Sequence, residues 1–382
     1  MKVTDVKTFL VYPGNAKNWL FVKVETDEGI VGWGEAYTQL DRDVAVEAQI
    51  KAMGRYLIGR SPFNIKHFTQ VMYRDFAVKR GAMDFYSGLS ALEHALWDVV
   101  GKSLGTPVYN LLGGACRDRI RVYANGWGGG RSPSETAERA ARVVERGFRA
   151  LKFDPFPGPW QEYISREDEL AAVANVRAVR EAVGPDVEIL IEVHRRLAPM
   201  HAIRVARMLE EFRPFWYEEP CVPENVEALA EVRRNIRIPV VTGEALYTKA
   251  GFREVLEQRA ADILNPDICN CGGILELKEI AAMAEPYLVV MSPHNYNSMS
   301  IGLAASVQLC AAIPNFLILE YFVNFEAPSA EIAPNALRAE GGYVQVPARP
   351  GLGVELDETA LVERRYQQFP LRGIRQYVDE GP

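Results

Sequence analysis

Glu192, Glu218 and Glu244 stand 26 residues apart each time, and each closes a short apolar run, at 189–191, 215–217 and 238–241. Twenty-six residues is the length of one strand, helix and their connections, so the repeat places one carboxylate at the end of each of three successive β/α units. In a closed barrel those strand ends converge on one point. Three carboxylates gathered there need a cation, and an all-oxygen donor set selects a hard divalent ion, with Mg²⁺ the first choice. His194 follows the first glutamate by two, a spacing that on a strand puts both side chains on one face. His294, in Ser292-Pro293-His294, comes 50 residues after Glu244, and Asp267, in Asn265-Pro266-Asp267, closes the run between them. A carboxylate behind a histidine fixes its tautomer and raises its basicity, the pairing suited to taking a proton. Lys152 and Glu320 close two further runs; the lysine offers positive charge to a substrate carboxylate, the glutamate a hydrogen bond to substrate. Arg196 is a further candidate for holding an anion. Together these groups suit proton removal beside a carboxylate, with cation and lysine stabilising the enediolate.

The elements that must carry them change character along the chain. Residues 1 to about 40 alternate apolar and polar as a meander, with a hairpin turn expected at Thr26-Asp27-Glu28-Gly29, and 43 to 113 read as helical. From about 120, short apolar runs alternate with amphipathic helices, with runs beginning near 120, 150, 188, 214, 238, 262, 288 and 316. That rhythm predicts an α/β fold, a (β/α)7-8 TIM-like barrel over 116–323, behind an α+β capping domain over 1–115. Residues 324–382 form a tail with a strand at 343–346 and a turn at 350–353, expected to return to the capping domain. No G-x-G-x-x-G turn supports an open doubly wound sheet. The proline-rich stretch 154–163 cannot be helical and is expected as a loop on the catalytic rim.

Composition narrows the partners. A formal charge of −7 with Lys and Arg dispersed argues against nucleic acid, and no apolar run reaches a membrane span. A cytoplasmic location is the default. Five cysteines, an odd number, read as reduced thiols, and Cys269-Asn270-Cys271 lacks the second pair that a zinc site needs. His67, His94 and His201 read as structural.

The motifs Ile191-Glu192-Val193-His194, Tyr217-Glu218-Glu219-Pro220, Thr242-Gly243-Glu244, Asn265-Pro266-Asp267 and Ser292-Pro293-His294, with Gly32-Trp33-Gly34-Glu35-Ala36 and Ala95-Leu96-Trp97-Asp98 nearer the N-terminus, resemble the enolase superfamily in its mandelate racemase subgroup. The resemblance runs nearly end to end. It implies metal on Glu192, Glu218 and Glu244, a His294–Asp267 dyad, and Glu320 beside the enediolate. Where racemase-like members carry Lys-x-Lys, this chain has Lys152-Phe153-Asp154, so the second lysine is missing. The histidine two beyond the first metal ligand is instead similar to the sugar-acid dehydratases of gluconate, galactonate and arabinonate. The implied reaction is Mg²⁺-dependent dehydration of an aldonate to a 2-keto-3-deoxy acid, by a homo-oligomer, dimer to octamer. The alternatives are a sugar-acid racemase or epimerase, and a non-catalytic scaffold. Capping-domain and rim residues that could contact substrate are Trp19, Tyr37 and Tyr163, with Lys17, Arg80, Tyr86 and Trp160 as further candidates.

Overall fold

The N-terminal meander forms where the alternation places it. Strands β1 (Val3–Val11), β2 (Trp19–Thr26) and β3 (Val31–Ala36) pair antiparallel in that order, and Gly29, at φ 76°, turns the hairpin between β2 and β3. The helix Met83–Ser103 lies across this sheet. Gly32 and Gly34 let it approach: a Cβ at either would stand 2.1 Å from the Ala95 carbonyl oxygen or 1.8 Å from that of Ala91. The computed structural model describes residues 1–14, 17–75, 81, 83–130, 132–158, 161–296, 298–371 and 373. Arg80 and Trp160 lie outside these residues.

Eight parallel strands then close a barrel: β4 (Arg119–Asn125), β5 (Ala150–Phe153), β6 (Glu188–Glu192), β7 (Trp216–Glu218), β8 (Val240–Thr242), β9 (Ile263–Leu264), β10 (Val290–Met291) and β11 (Leu319–Phe322). From β4 to β10 each pairs with the next, β11 pairs with β4, and the isolated Met291–Phe316 bridge joins β10 to the run leading into β11. Inward-pointing Tyr123, Leu190, Trp216, Val241, Ile263 and Ile318 fill the interior, so the barrel is a packed core with its chemistry at one end.

Two buried carboxylates tie the capping domain to the rest of the chain, one to the barrel and one to the C-terminal tail. Glu93 accepts from the backbone N–H of Ile274 and Leu275 at 2.8 and 2.9 Å, capping the helix Ile274–Ala284. Asp98 accepts from Trp33 N and Leu352 N at 2.9 and 2.8 Å. The tail touches both bodies: β12 (Ala339–Glu340) and β13 (Tyr343–Gln345) form a hairpin, and β13 pairs antiparallel with β4 of the barrel. The tail meets the cap before this hairpin, where Phe325 packs on Trp19, and again beyond it, through the Asp98–Leu352 bond, the Lys23–Glu358 ion pair at 2.6 Å and a bridge from Val11 to Arg365. Among the described residues no helix is long and apolar enough to cross a membrane, and all five cysteines are free thiols.

Candidate active site

Glu192 and Glu218 end β6 and β7 and stand directly opposite one another in register. Glu244 lies two residues past β8, beyond Gly243, whose φ of 142° turns the chain toward the axis. One oxygen from each of the three falls within 4.8 Å of the others, and all three residues are buried. Lys152, on β5, reaches across this cluster. Its Nζ lies 2.6 Å from Glu218 Oε1, 2.9 Å from Glu320 Oε1 and 3.2 Å from Glu192 Oε2. Burial pulls the lysine's pKa down, but the carboxylates of Glu218 and Glu320 outweigh it and hold the ammonium well above the ordinary lysine range.

These residues fit a hard cation. The Oε2 atom of Glu218 is buried with no hydrogen-bond partner among the described residues. Burial, followed by the neighbouring Glu192 charge, pushes the Glu218 carboxyl well above the usual range. Lys152 therefore does not satisfy Glu218, and an oxygen-bound divalent ion would.

His294 follows β10, joined to Asp267 by a single bridge between their backbones. Its Nδ1 is 2.7 Å from Asp267 Oδ2, while Nε2 lies 3.1 Å from Glu244 Oε2 and 3.6 Å from Glu320 Oε2. Asp267 is fixed in turn, its Oδ1 accepting from Cys269 N at 2.8 Å. Burial draws the imidazole's pKa down, and Glu244, Glu320 and Asp267 together more than reverse that, to about 9. A cation on Glu244 would offset that carboxylate's pull and bring His294 toward the range of a working base.

His194 reaches the same cavity, but not as a strand residue. β6 ends at Glu192, and residues 194 and 195 take left-handed backbone, φ 57° and 60°, so the chain turns sharply at the barrel mouth. The His194 backbone N–H donates to Glu192 Oε1 at 2.8 Å, and its Nδ1 lies 2.8 Å from Asp154 Oδ2. Burial lowers this imidazole and the Glu192 charge with the Asp154 bond raises it, the net being upward. In a closed barrel of eight strands, His194 after the third and His294 after the seventh sit half a circumference apart, facing each other across the carboxylates.

Other expected contacts fall elsewhere. The Arg196 guanidinium points away from the cavity: it bonds Asp154, donates to Val193 O at 2.8 Å and packs 5.4 Å from the Phe156 ring centre. It therefore holds the aspartate that holds His194. Its neighbour Arg195 lines the cavity instead, its guanidinium on Glu244 and 3.6 Å from Glu219 Oε2. Glu320 receives Lys152, Asn125 Nδ2 at 2.8 Å and Asn295 N at 2.8 Å. Burial opposes its ionisation, yet Lys152 and His294 hold its pKa below the usual carboxylate value, which favours the accepting form over the donating one. Trp19 is buried against Phe21 and Phe325, away from the cavity. Tyr163 is 53 % exposed with its edge toward His201, also away from it. Tyr86 stacks on Tyr247 at 5.0 Å. Tyr37 does line the cavity, with Gln39, Asn125, Phe156 and Tyr296. The volume is about 580 Å³, within the span of small-molecule sites.

Comparison with known proteins agrees with this architecture. Residues 13–113 match the mandelate racemase / muconate lactonizing enzyme N-terminal domain, and residues 135–360 match the enolase C-terminal domain-like family. The chain is 37% identical over 368 residues to the D-galactonate dehydratase of Variovorax paradoxus (strain S110), covering 95% of this chain and 94% of that one. It is 38% identical over 349 residues to the D-gluconate dehydratase of Thermoproteus tenax, covering 91% of this chain and 69% of the relative. The crystal structure of a mandelate racemase/muconate lactonizing enzyme-like protein from Roseovarius sp. TM1035 superimposes with a TM-score of 0.91 at 36% identity, covering 98% of this chain and 99% of that one.

Proposed function

The chain belongs to the mandelate racemase/muconate lactonizing enzyme family of the enolase superfamily, and on that premise we propose that it dehydrates an aldonate to a 2-keto-3-deoxy sugar acid. The observation that carries the proposal is the opposed pair of histidines, each held by its own aspartate, across a cluster of three carboxylates. The relatives named as galactonate and gluconate dehydratases favour loss of water over inversion at C2.

Glu192, Glu218 and Glu244 would hold Mg²⁺, which when bound supplies positive charge to the substrate carboxylate. Lys152 keeps the cluster together and adds its own charge beside it. His294, neutral on Nε2 because Asp267 holds the proton on Nδ1, takes the C2 hydrogen as a proton. The electron pair left at C2 moves toward C3 as the C3–O bond breaks, and His194 gives its proton to the departing hydroxyl, which leaves as water. The enol then tautomerises, C3 gaining a proton and C2 becoming a ketone. His194 suits the acid role because it is one-third exposed at the mouth, where solvent can return its proton, whereas His294 is 5% exposed.

A homo-oligomer in the cytoplasm, dimer to octamer, completes the proposal. The test is a screen of D-galactonate, D-gluconate and pentonates with Mg²⁺, scoring keto acid with semicarbazide, and His294→Asn as the blank. Keto acid formed by the wild type and absent with the variant supports dehydration; a library without any keto acid refutes it. His194→Asn separates the two roles, since it should still exchange the C2 hydrogen with solvent while releasing no keto acid.

A further inference from the structure

Lys17 is a buried ammonium that the proposed mechanism leaves unused. It lies just before β2 in the capping domain and is 2% exposed. Its Nζ donates to the Tyr296 carbonyl at 2.9 Å and to the Thr38 carbonyl at 3.3 Å, bridging the segment after β10 of the barrel to the one after β3 of the cap. The same nitrogen lies 4.5 Å from the ring centre of Tyr296 and 5.0 Å from that of Tyr37, close enough for both faces to attract it. Those two rings belong to the cavity wall. Each is centred 6.2 Å from the His294 imidazole, Tyr296 stacked at 14° and Tyr37 tilted at 45°.

An ammonium is a costly way to fill such a space unless the charge has a task. Burial draws it down to about 8, opposed by Glu35 and then Asp267, the aspartate of the dyad. Glu35 in turn accepts from Gly302 N at 2.7 Å, at the start of the helix Ile301–Ala312. A methionine of similar length could fill the space but could hold neither carbonyl.

We propose that Lys17 is a positioning residue for the catalytic base, holding Tyr296 and Tyr37, whose rings lie 5.9 Å apart, together against one flank of His294 so that docking of the cap and alignment of the imidazole are one arrangement. This rests on the dehydratase reading only for its kinetic consequence. Lys17 touches no reacting atom. It acts through the two rings, and the cap thereby takes part in the chemistry as well as in enclosing the substrate.

Lys17→Met and Lys17→Gln are the variants to make, with Lys23→Met, on the same sheet, as a control for loss of a cap ammonium. Two readouts are needed. The first requires no substrate: ¹⁵N-histidine-labelled protein at one fixed pH, with the His294 imidazole assigned by its absence in His294→Asn. The expected result is that the His294 resonances shift or broaden in both Lys17 variants, while those of His94 and His201 stay in place. The second is steady-state kinetics on the aldonate identified by the screen. A base displaced by about 1 Å lowers kcat by about 10- to 100-fold, with KM within about threefold, and a C2-deuterated substrate shows a larger isotope effect on kcat than with the wild type. Unchanged His294 resonances in a folded variant overturn the proposal, as does a raised KM with kcat intact, which would make Lys17 a substrate contact. Failure of both variants to fold, judged by circular dichroism, overturns it in favour of a purely structural ammonium. A wild type inactive on every aldonate refutes the dehydratase reading alone, because the imidazole comparison still stands.

Discussion

Replacing Asp267 by asparagine isolates the tautomer of His294. The two aspartate oxygens have separate duties: Oδ1 accepts from Cys269 N at 2.8 Å, and Oδ2 lies 2.7 Å from His294 Nδ1. An asparagine of the same shape must keep its one oxygen on the Cys269 N–H, which leaves its NH₂ facing Nδ1. Nδ1 must then accept, the imidazole proton moves to Nε2, and the nitrogen that should take the C2 hydrogen is already protonated. Flipping the amide to restore the tautomer sets two donors against each other and leaves a buried N–H unpaired, at a cost of about 1–3 kcal/mol. At about 1.4 kcal/mol per tenfold, the productive tautomer falls by about 5- to 150-fold. Loss of the anion behind the ring also lowers its basicity, so kcat should fall by about 10²–10³. Because the shape is preserved, KM should stay within about threefold and the melting temperature within a few degrees. The assay is keto-acid formation by semicarbazide, with thermal unfolding alongside. An Asp267→Asn enzyme within about fivefold of wild-type kcat would refute this assignment of the dyad.

Magnesium at about 100 times its Kd should stabilise the wild type by about 2.7 kcal/mol; Glu218→Gln should lose most of that shift in scanning fluorimetry, and equal shifts would locate the ion elsewhere. Arg196→Leu frees Asp154 and lets His194 drift, so kcat should drop by about tenfold or more with KM little changed; a rise in KM alone would make Arg196 a substrate contact after all. His94 accounts for part of the acid sensitivity. Burial outweighs its hydrogen bond to the Ile268 carbonyl and pushes its pKa from 6.5 to about 4. Between those values the unfolded chain binds a proton that the folded one refuses, so this contribution is present above pH 6.5 and is lost as pH falls toward 4. Urea midpoints for His94→Gln should therefore fall less steeply over that interval than for wild type, the gap being at most about 1.4 kcal/mol per pH unit; parallel curves would remove His94 from the explanation.

The three glutamates were legible because a barrel repeats, so even spacing along the chain becomes convergence in space. His294 and Asp267 were legible for the same reason. His194 reached the site by a route that spacing alone does not reveal: strand alternation would place it beside Glu192, but the strand ends there and left-handed backbone at 194 and 195 re-aims the chain. Such conformations in non-glycine residues have no signature in residue type. That turn also decides between adjacent arginines, sending Arg195 into the cavity and Arg196, the expected anion-holder, behind Asp154. Asp154 stood in view as the residue replacing the second lysine, but its pairing with His194 is seen only in the fold. Trp19 and Tyr163 failed as contacts because their positions depend on how the cap and the rim pack on the barrel, and no periodicity records that. The Lys17 bridge, spanning 279 residues of sequence, is of the same kind.

The central claim is loss of water from an aldonate by this arrangement of histidines. Turnover in D₂O with Mg²⁺, followed by ¹H NMR on the substrate found in the screen, tests it most directly. The account predicts a 2-keto-3-deoxy acid carrying solvent deuterium at C3, formed by the wild type and not by His294→Asn. Recovered aldonate deuterated and inverted at C2, with no keto acid formed, would contradict it and make the enzyme an epimerase.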